Sequence, residues 1–234
     1  MKPTKVKALF ISDLHLGADI SNAEMVLDLL KQFEPEYLFL VGDIIDGWML
    51  KVKMKWKQSH TNVIRKILSY SKKGTKVIYI TGNHDDFLRS YDSMQLGNIE
   101  ICNEYIFENA FIIHGDKYDG LIDMNWIGVL GGIIYDWAVS YDRRMRKLGV
   151  KISLSKWLKT KVKEAVKYIF NFESNIAKEA KRNGCDVAIC GHIHKAEDKI
   201  IDGVRYINTG DWVENFTYVV FNDGKFTLHH HTTS

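Results

Sequence analysis

Apolar positions along this chain follow two alternating rhythms. The segments "VKALFIS", "YLFLVGD", "KVIYITGNHD", "IEICN", "FIIHGD" and "DVAICGHIH" carry short apolar runs that stop in Gly, Asp, Asn or His, the pattern of strands bounded by turns. Between them, "SNAEMVLDLLKQF" reads as a helix. Ser21 and Glu24 have capping-box spacing, Met25, Leu29 and Phe33 mark one face, and Pro35 ends it. A second helix is predicted in "SHTNVIRKILSYSKKG", with Val63, Ile64, Ile67 and Leu68 turned inward and Gly74 as the stop. Strand and helix in alternation imply an α/β body. Two Asp-Gly turns, in "KIIDGVRYINTGD" and "YVVFNDGKFTL", make the C-terminal third antiparallel hairpins. The stretch from Leu121 to Asn183 is long and helical in texture, and reads as an insertion into that body.

Length and composition narrow the class. With 234 residues and 46% apolar content, the chain can bury a full core, as one large domain or a domain with a sizeable insertion. Two prolines and 26% charged residues exclude a disordered chain. Cys102, Cys185 and Cys190 are odd in number and lie in apolar surroundings, so they read as buried thiols of a reducing compartment. The N-terminal "MKPTKVKALF" lacks a signal-peptide pattern, which points to the cytoplasm. The longest apolar stretch, "LIDMNWIGVLGGIIYDWAVS", contains Asp123, Asn125 and Asp136, a poor membrane span but a reasonable buried or interfacial helix pair.

Charge is unevenly spread. Residues 121–183 hold 13 Lys or Arg against 6 Asp or Glu, a net of +7, while the whole chain is +3. The same segment carries Trp126, Trp137, Trp157 and many branched aliphatics. A basic, aromatic-rich element suits an acyl-chain groove or an anionic membrane surface, although each of these residues taken singly is as readily explained by packing onto the body.

The strand endings carry the chemistry. "SDLH", "VGDIID", "TGNHD", "IHGD" and "CGHIH" are each weak signals, since Gly-Asp is usually a turn and a lone His usually a satisfied core or surface group. Together they place Asp, His and Asn at the ends of successive strands, where open α/β sheets carry their sites. In "DLH", strand alternation would turn Asp13 and His15 to one face. Carboxylate, imidazole and amide without thiolate suit Mn²⁺, Fe²⁺ or Zn²⁺ and argue against a structural zinc. Seven such candidates exceed one ion. Two ions sharing a carboxylate, about 3.5–4 Å apart, are the arrangement that phosphoester hydrolysis exploits.

D-x-H, G-D-x-x-D, G-N-H-D, H-G-D and G-H-x-H, in this order, resemble the calcineurin-like metallophosphoesterases over nearly the whole chain. The resemblance implies an α/β fold with a central β-sandwich flanked by helices (αββα), residues 1–234 forming one domain and residues 121–183 a helical lid within it. It implies two divalent ions, Mn²⁺ foremost with Fe²⁺ or Zn²⁺ as alternatives. Asp13, His15, Asp43 and His194 would hold one, and Asp43, as the bridge, with Asn83, His114 and His192 the other. Within the family, "VGDIIDGW", "GNHDDFL" and "NTGDWVE" resemble the UDP-2,3-diacylglucosamine diphosphatases of lipid A biosynthesis. Those enzymes have Arg after the motif Asn. This chain has His84 there, with Asp46 earlier, as in the wider family, which leaves the reaction class intact and loosens the link to one substrate. His84 is expected to donate a proton to the leaving oxygen or to stabilise the transition state, and Asp46 to orient it, the alternative for Asp46 being a turn cap.

Three functions are distinguishable on these grounds: hydrolysis of a nucleotide-linked lipid, the same chemistry on a soluble phosphoester, or a scaffold that has lost its metals. The full ligand set argues against the third, and the basic lid favours the first. The expected partners are therefore a nucleotide-linked lipid or other phosphoester and an anionic membrane surface, with the protein peripheral on the inner face; a nucleic acid is not expected. Trp48, Trp56 and the lysines of "KVKMKWKQSH" either flank the substrate or pack the surface. Asp85, Asp86, Asp116 and Asp119 have no assigned role, and the terminal "HHHTTS" reads as a frayed end.

Overall fold

A computed structural model of the chain describes residues 2–53, 55–118 and 169–232. The chain divides into two compact units, one of residues 1–117 and 176–234 and one of residues 118–175. The predicted lid therefore lies, up to residue 168, outside the described residues.

Among the described residues the first unit is built on two sheets. Strands β1 (Thr4–Ile11), β2 (Phe33–Val41), β3 (Lys76–Ile80), β4 (Met94–Leu96), β5 (Ile99–Cys102), β11 (Thr217–Asn222) and β12 (Lys225–His230) form one, in the order β12-β11-β1-β2-β3-β5-β4. Strands β6 (Glu104–Phe107), β7 (Ala110–Ile113), β8 (Val187–Cys190), β9 (Glu197–Ile201) and β10 (Val204–Asn208) form the other, in the order β6-β7-β8-β10-β9. β1, β2, β3 and β5 run parallel, as do β7, β8 and β10. This is a mixed α/β fold of two sheets flanked by helices.

The continuous apolar runs follow from burial on both faces. In β1, Leu9 and Ile11 join the core under helices α1 (Ala23–Gln32) and α3 (Gln58–Lys72), between which the short α2 (Gly47–Lys53) lies in sequence, whereas Ala8 and Phe10 join the core between the sheets. Phe10 stacks on Phe39 of β2 with ring centroids 4.5 Å apart, and Phe107 of β6 meets both rings from the facing sheet.

Several local expectations are corrected. The capping box at Ser21 is not made: Ser21 Oγ donates to the Leu14 carbonyl, and the cap residue, Asn22, donates to the Val213 carbonyl. Pro35 does not stand between helix and strand but lies within β2. It pairs with Val6, and β2 meets β3 only from Tyr37 onward, so the missing N–H removes no ladder bond on that side. Leu68 is 51% exposed, and Tyr70, three residues beyond Ile67, completes the buried face of α3. Both Asp-Gly turns form, with Asp202, Gly203, Asp223 and Gly224 all at positive φ, yet the hairpins they close belong to different sheets. The terminal histidines are not frayed: β12 runs to His230, and the buried His231 lies 3.2 Å from Asp28 and against Trp212.

Candidate metal centre

Every predicted site residue in the first unit stands just beyond a strand end. β1 stops at Ile11, so Asp13 and His15 do not share a strand face. Both adopt left-handed backbone, φ 53° and 47°, as do Asp43, His192 and His194. Non-glycine residues hold this conformation at a cost of roughly 1–3 kcal/mol each, and keep it where surrounding contacts over-determine it. Such contacts are present. The Asp13 and His15 amides donate to the Gly42 and Asp43 carbonyls, both at 3.0 Å, locking the first loop onto the second. Two glycines keep the loops close: a Cβ at Gly82 would lie 2.2 Å from Asp43 Oδ1, and one at Gly191 2.4 Å from Asp13 Oδ2. Any larger residue there would push into the carboxylates.

The side chains converge as two adjoining clusters. In one, His194 Nε2 is 3.2 Å from Asp13 Oδ1 and 3.3 Å from His15 Nε2. In the other, His114 Nε2 is 3.3 Å from both Asp43 Oδ2 and Asn83 Oδ1, and the His192 ring lies 5.0 Å from that of His114. The donor atoms of Asp13, His15 and His194, and those of Asp43, His114 and His192, each lie within 4.8 Å of one another. His114 Nδ1 donates to the Val41 carbonyl at 3.0 Å, which fixes the ring and turns Nε2 to the centre. His15 Nδ1 likewise donates to Asp46 at 3.3 Å.

Asp46 reaches a second imidazole as well. Its Oδ2 lies 3.2 Å from His84 Nδ1, while its Oδ1 accepts the Met49 amide at 2.8 Å. His84 Nε2 is then 4.0 Å from Asp43, and the half-exposed Trp48 covers the His84 ring at 4.2 Å. Trp56 instead meets His60 and donates to Thr61, away from these groups.

Electrostatics follow from this pairing. Burial favours a neutral His114, but the neighbouring Asp43 carboxylate outweighs it and lifts the pKa to about 10. Burial disfavours the charge on His194 as well, but Asp13 outweighs it and lifts the pKa to about 9. Burial would raise Asp13 and Asp43, yet the imidazoles bring both below the ordinary carboxylate range. In Asp46 burial is likewise overcome, by the contacts with His15 and His84. His84 is raised, Asp46 and Asp43 prevailing over burial.

Sequence reasoning missed the supports. Asp85 is fully buried and accepts the amides of Ile44, at 2.9 Å, and Gly82, together with the Tyr79 hydroxyl at 2.7 Å, so it joins the Asp43 and Asn83 loops. Burial and the Asp43 charge raise its pKa. The signal was available in "HDD", whose first Asp follows the site while Asp86 opens a short 3₁₀ turn. Asp116 pairs with Arg89. Asp119 lies outside the described residues.

A family model for the calcineurin-like phosphoesterases matches residues 6–196. The chain belongs to this family. Similar curated proteins include the UDP-2,3-diacylglucosamine hydrolases of Neisseria meningitidis, 25% identical over 96% of this chain and 95% of that one, and of Porphyromonas gingivalis, 25% identical over 95% and 96%. Among solved structures, Yfce, a phosphoesterase from E. coli, is 16% identical with a TM-score of 0.47, covering 92% of this chain and 88% of that one.

The calcineurin-like phosphoesterase described here is a hydrolase of phosphoester or anhydride bonds. Membership implies a binuclear divalent metal centre, and the donor set fits: carboxylates and imidazoles, thiolate-free, crowd two adjoining points. Ligation requires neutral imidazole, so a cation held by His114 or His194 would displace the protons that Asp43 and Asp13 favour there. Metal uptake by stripped protein at pH 7 is expected to release up to about two protons, with affinity rising as pH climbs towards 9–10. Calorimetry in buffers of differing ionisation enthalpy reads this directly. Uptake without proton release would contradict the pairing.

Proposed function

We propose that the protein hydrolyses the pyrophosphate bond of UDP-2,3-diacylglucosamine, or a similar nucleotide-linked lipid, to UMP and an acylated sugar phosphate. The carrying observation is the convergence of Asp13, His15, Asp43, Asn83, His114, His192 and His194, in a chain of this family whose similar curated proteins bear that substrate's name over nearly their full length. Asp13, His15, Asp43 and His194 hold one ion; Asp43, Asn83, His114 and His192 hold the other; Mn²⁺ is the first choice for both. When bound, the pair supplies a nucleophile at neutral pH and neutralises charge on the phosphoryl oxygens.

The rest is done by the chain. Asp46 favours the protonated form of His84, which stands beside the shared carboxylate and is partly open to solvent, and which would give its Nε2 proton to the leaving phosphate oxygen. Asp46 fixes the His84 ring through Nδ1, which leaves Nε2 free to face substrate.

The insertion would bring the lipid. Its +7 charge and tryptophans support a peripheral attachment to an anionic bilayer. Exposed Trp48, Val52 and Trp56 share a short stretch of sequence with Lys51, Lys55 and Lys57, of which Lys55 and Lys57 lie 3.8 and 3.7 Å from Asp19, the neighbour of exposed Ile20. Among the described residues no helix is long and apolar enough to cross a membrane.

The test compares UDP-2,3-diacylglucosamine in anionic vesicles with a small chromogenic phosphodiester. Reversing Lys156, Lys159 and Lys163 to Glu is expected to lower cleavage of the lipid by roughly 10-fold or more, at about 1 kcal/mol per basic residue near an anionic bilayer, and to spare the small ester. Equal losses on both would leave the insertion a support for the fold and hand the assignment to a soluble phosphodiester or phosphomonoester.

A further inference from the structure

The turn after β10, "GDWVEN", touches both halves of the Asp13–His194 contact from behind. The Trp212 amide donates to the Asp13 carbonyl at 3.1 Å. Asn215 Nδ2 donates to the His194 carbonyl at 2.9 Å. Both residues so held are in left-handed backbone, φ 53° and 51°, where a small rotation redirects the side chain and where relaxation to the ordinary regions is favoured once the hold is lost.

Asp211 organises this turn. It is 1% exposed, and its Oδ1 accepts the amides of Val213 at 2.7 Å, Glu214 at 2.6 Å and Asn215 at 3.4 Å. Its Oδ2 accepts from the same Asn215 Nδ2 that reaches His194. Four N–H groups therefore converge on one carboxylate, and a buried carboxylate with this many charge-assisted bonds fixes its neighbours more firmly than a neutral turn residue could. The floor is tied in as well: Ser12 Oγ, beside Asp13, donates to the Gly210 carbonyl at 3.0 Å and lies 2.6 Å from Thr209 Oγ1.

We infer that Asp211 is a positioning residue for the metal centre, setting the His194 imidazole against Asp13 through the serial link Asp211–Asn215–His194. The inference rests on the metal-holding role read above for Asp13 and His194, and extends it to a residue that touches neither ion. Outer groups that orient ligands typically change metal affinity by 10–100-fold when removed. The bonds of Asp211 stay within its own turn, and the second cluster, Asp43 with His114 and His192, meets the first through the His192 amide, which donates to Asp13 Oδ2 at 3.2 Å, so the loss should fall mainly on one ion of the two.

The experiment is calorimetric titration of Mn²⁺ into metal-stripped full-length protein for the parent, Asp211→Ala, Asn215→Ala and the double variant, with melting temperature recorded alongside. The expected result is two sites in the parent, and in each single variant one site near parental affinity and one weakened by about 10–100-fold. The double variant should be no worse than Asp211→Ala, because the two residues act in series. Asn215→Ala removes only the last link and keeps the test alive if Asp211→Ala does not fold. Parental affinity at both sites in the variants would overturn the inference whatever their melting temperatures, as would additive losses. A parent that binds no Mn²⁺ would instead refute the metal reading itself.

Discussion

Asp43→Ala is expected to lower phosphoester hydrolysis by roughly 10³-fold or more and to reduce metal binding at both sites. The magnitude follows from the bridging role proposed for Asp43: a carboxylate shared by two ions, whose charge stabilisation is worth several kcal/mol, would be lost. The geometry singles this residue out: Asp43 Oδ2 is 3.3 Å from His114 Nε2 and 4.0 Å from His84 Nε2, while Oδ1 accepts the His84 amide at 2.8 Å. Removing it also leaves His114 buried without its counter-charge. Circular dichroism and melting must therefore accompany metal analysis, so that lost chemistry is told from lost fold. A variant that stays folded, carries two metals and keeps parental turnover would remove Asp43 from the bridge.

His84→Ala should reduce turnover by roughly 10²–10⁴, the range for loss of a general acid, with metal content unchanged. The unchanged content is the discriminating readout, since His84, Asp46 and His15 also lie close enough together to hold a cation. If His84→Ala costs a metal equivalent, it is a ligand and the proton donor lies elsewhere. Asp46→Asn is predicted to lose less turnover than His84→Ala but to disturb two imidazoles together, because Asp46 Oδ2 contacts both His15 and His84. A small drop in affinity at the His15 ion would accompany it.

The fold was legible where burial imposes a pattern. "ALFI" and "LFLV" read as strands from their short apolar runs and the turns after them, and in the structure Leu9 and Phe10 face opposite cores. Asp-Gly twice announced a tight hairpin, though the turn chemistry carries no information about which sheet receives it. What the sequence hid is long-range. Ser21 has the spacing of a cap but finds the Leu14 carbonyl instead, and Leu68 has the spacing of a core residue on a helix whose buried face turns towards Tyr70. The site motifs were readable because Asp, His and Asn recur after strands. Their mode of convergence was not: Asp13 and His15 meet through left-handed backbone pinned by the Gly42 and Asp43 carbonyls, 29 and 28 residues away in sequence. Asp85 and Asp211 escaped because one buried carboxylate collecting amides looks, in a string of letters, like any turn Asp.

The most direct measurement of the central claim is turnover of a phosphodiester by metal-stripped protein during stepwise return of Mn²⁺. Hydrolysis is expected to be negligible at the start, to rise and saturate at two equivalents per chain, and to be lost again on chelation. Full activity in the stripped protein, or saturation without metal uptake, would contradict that claim.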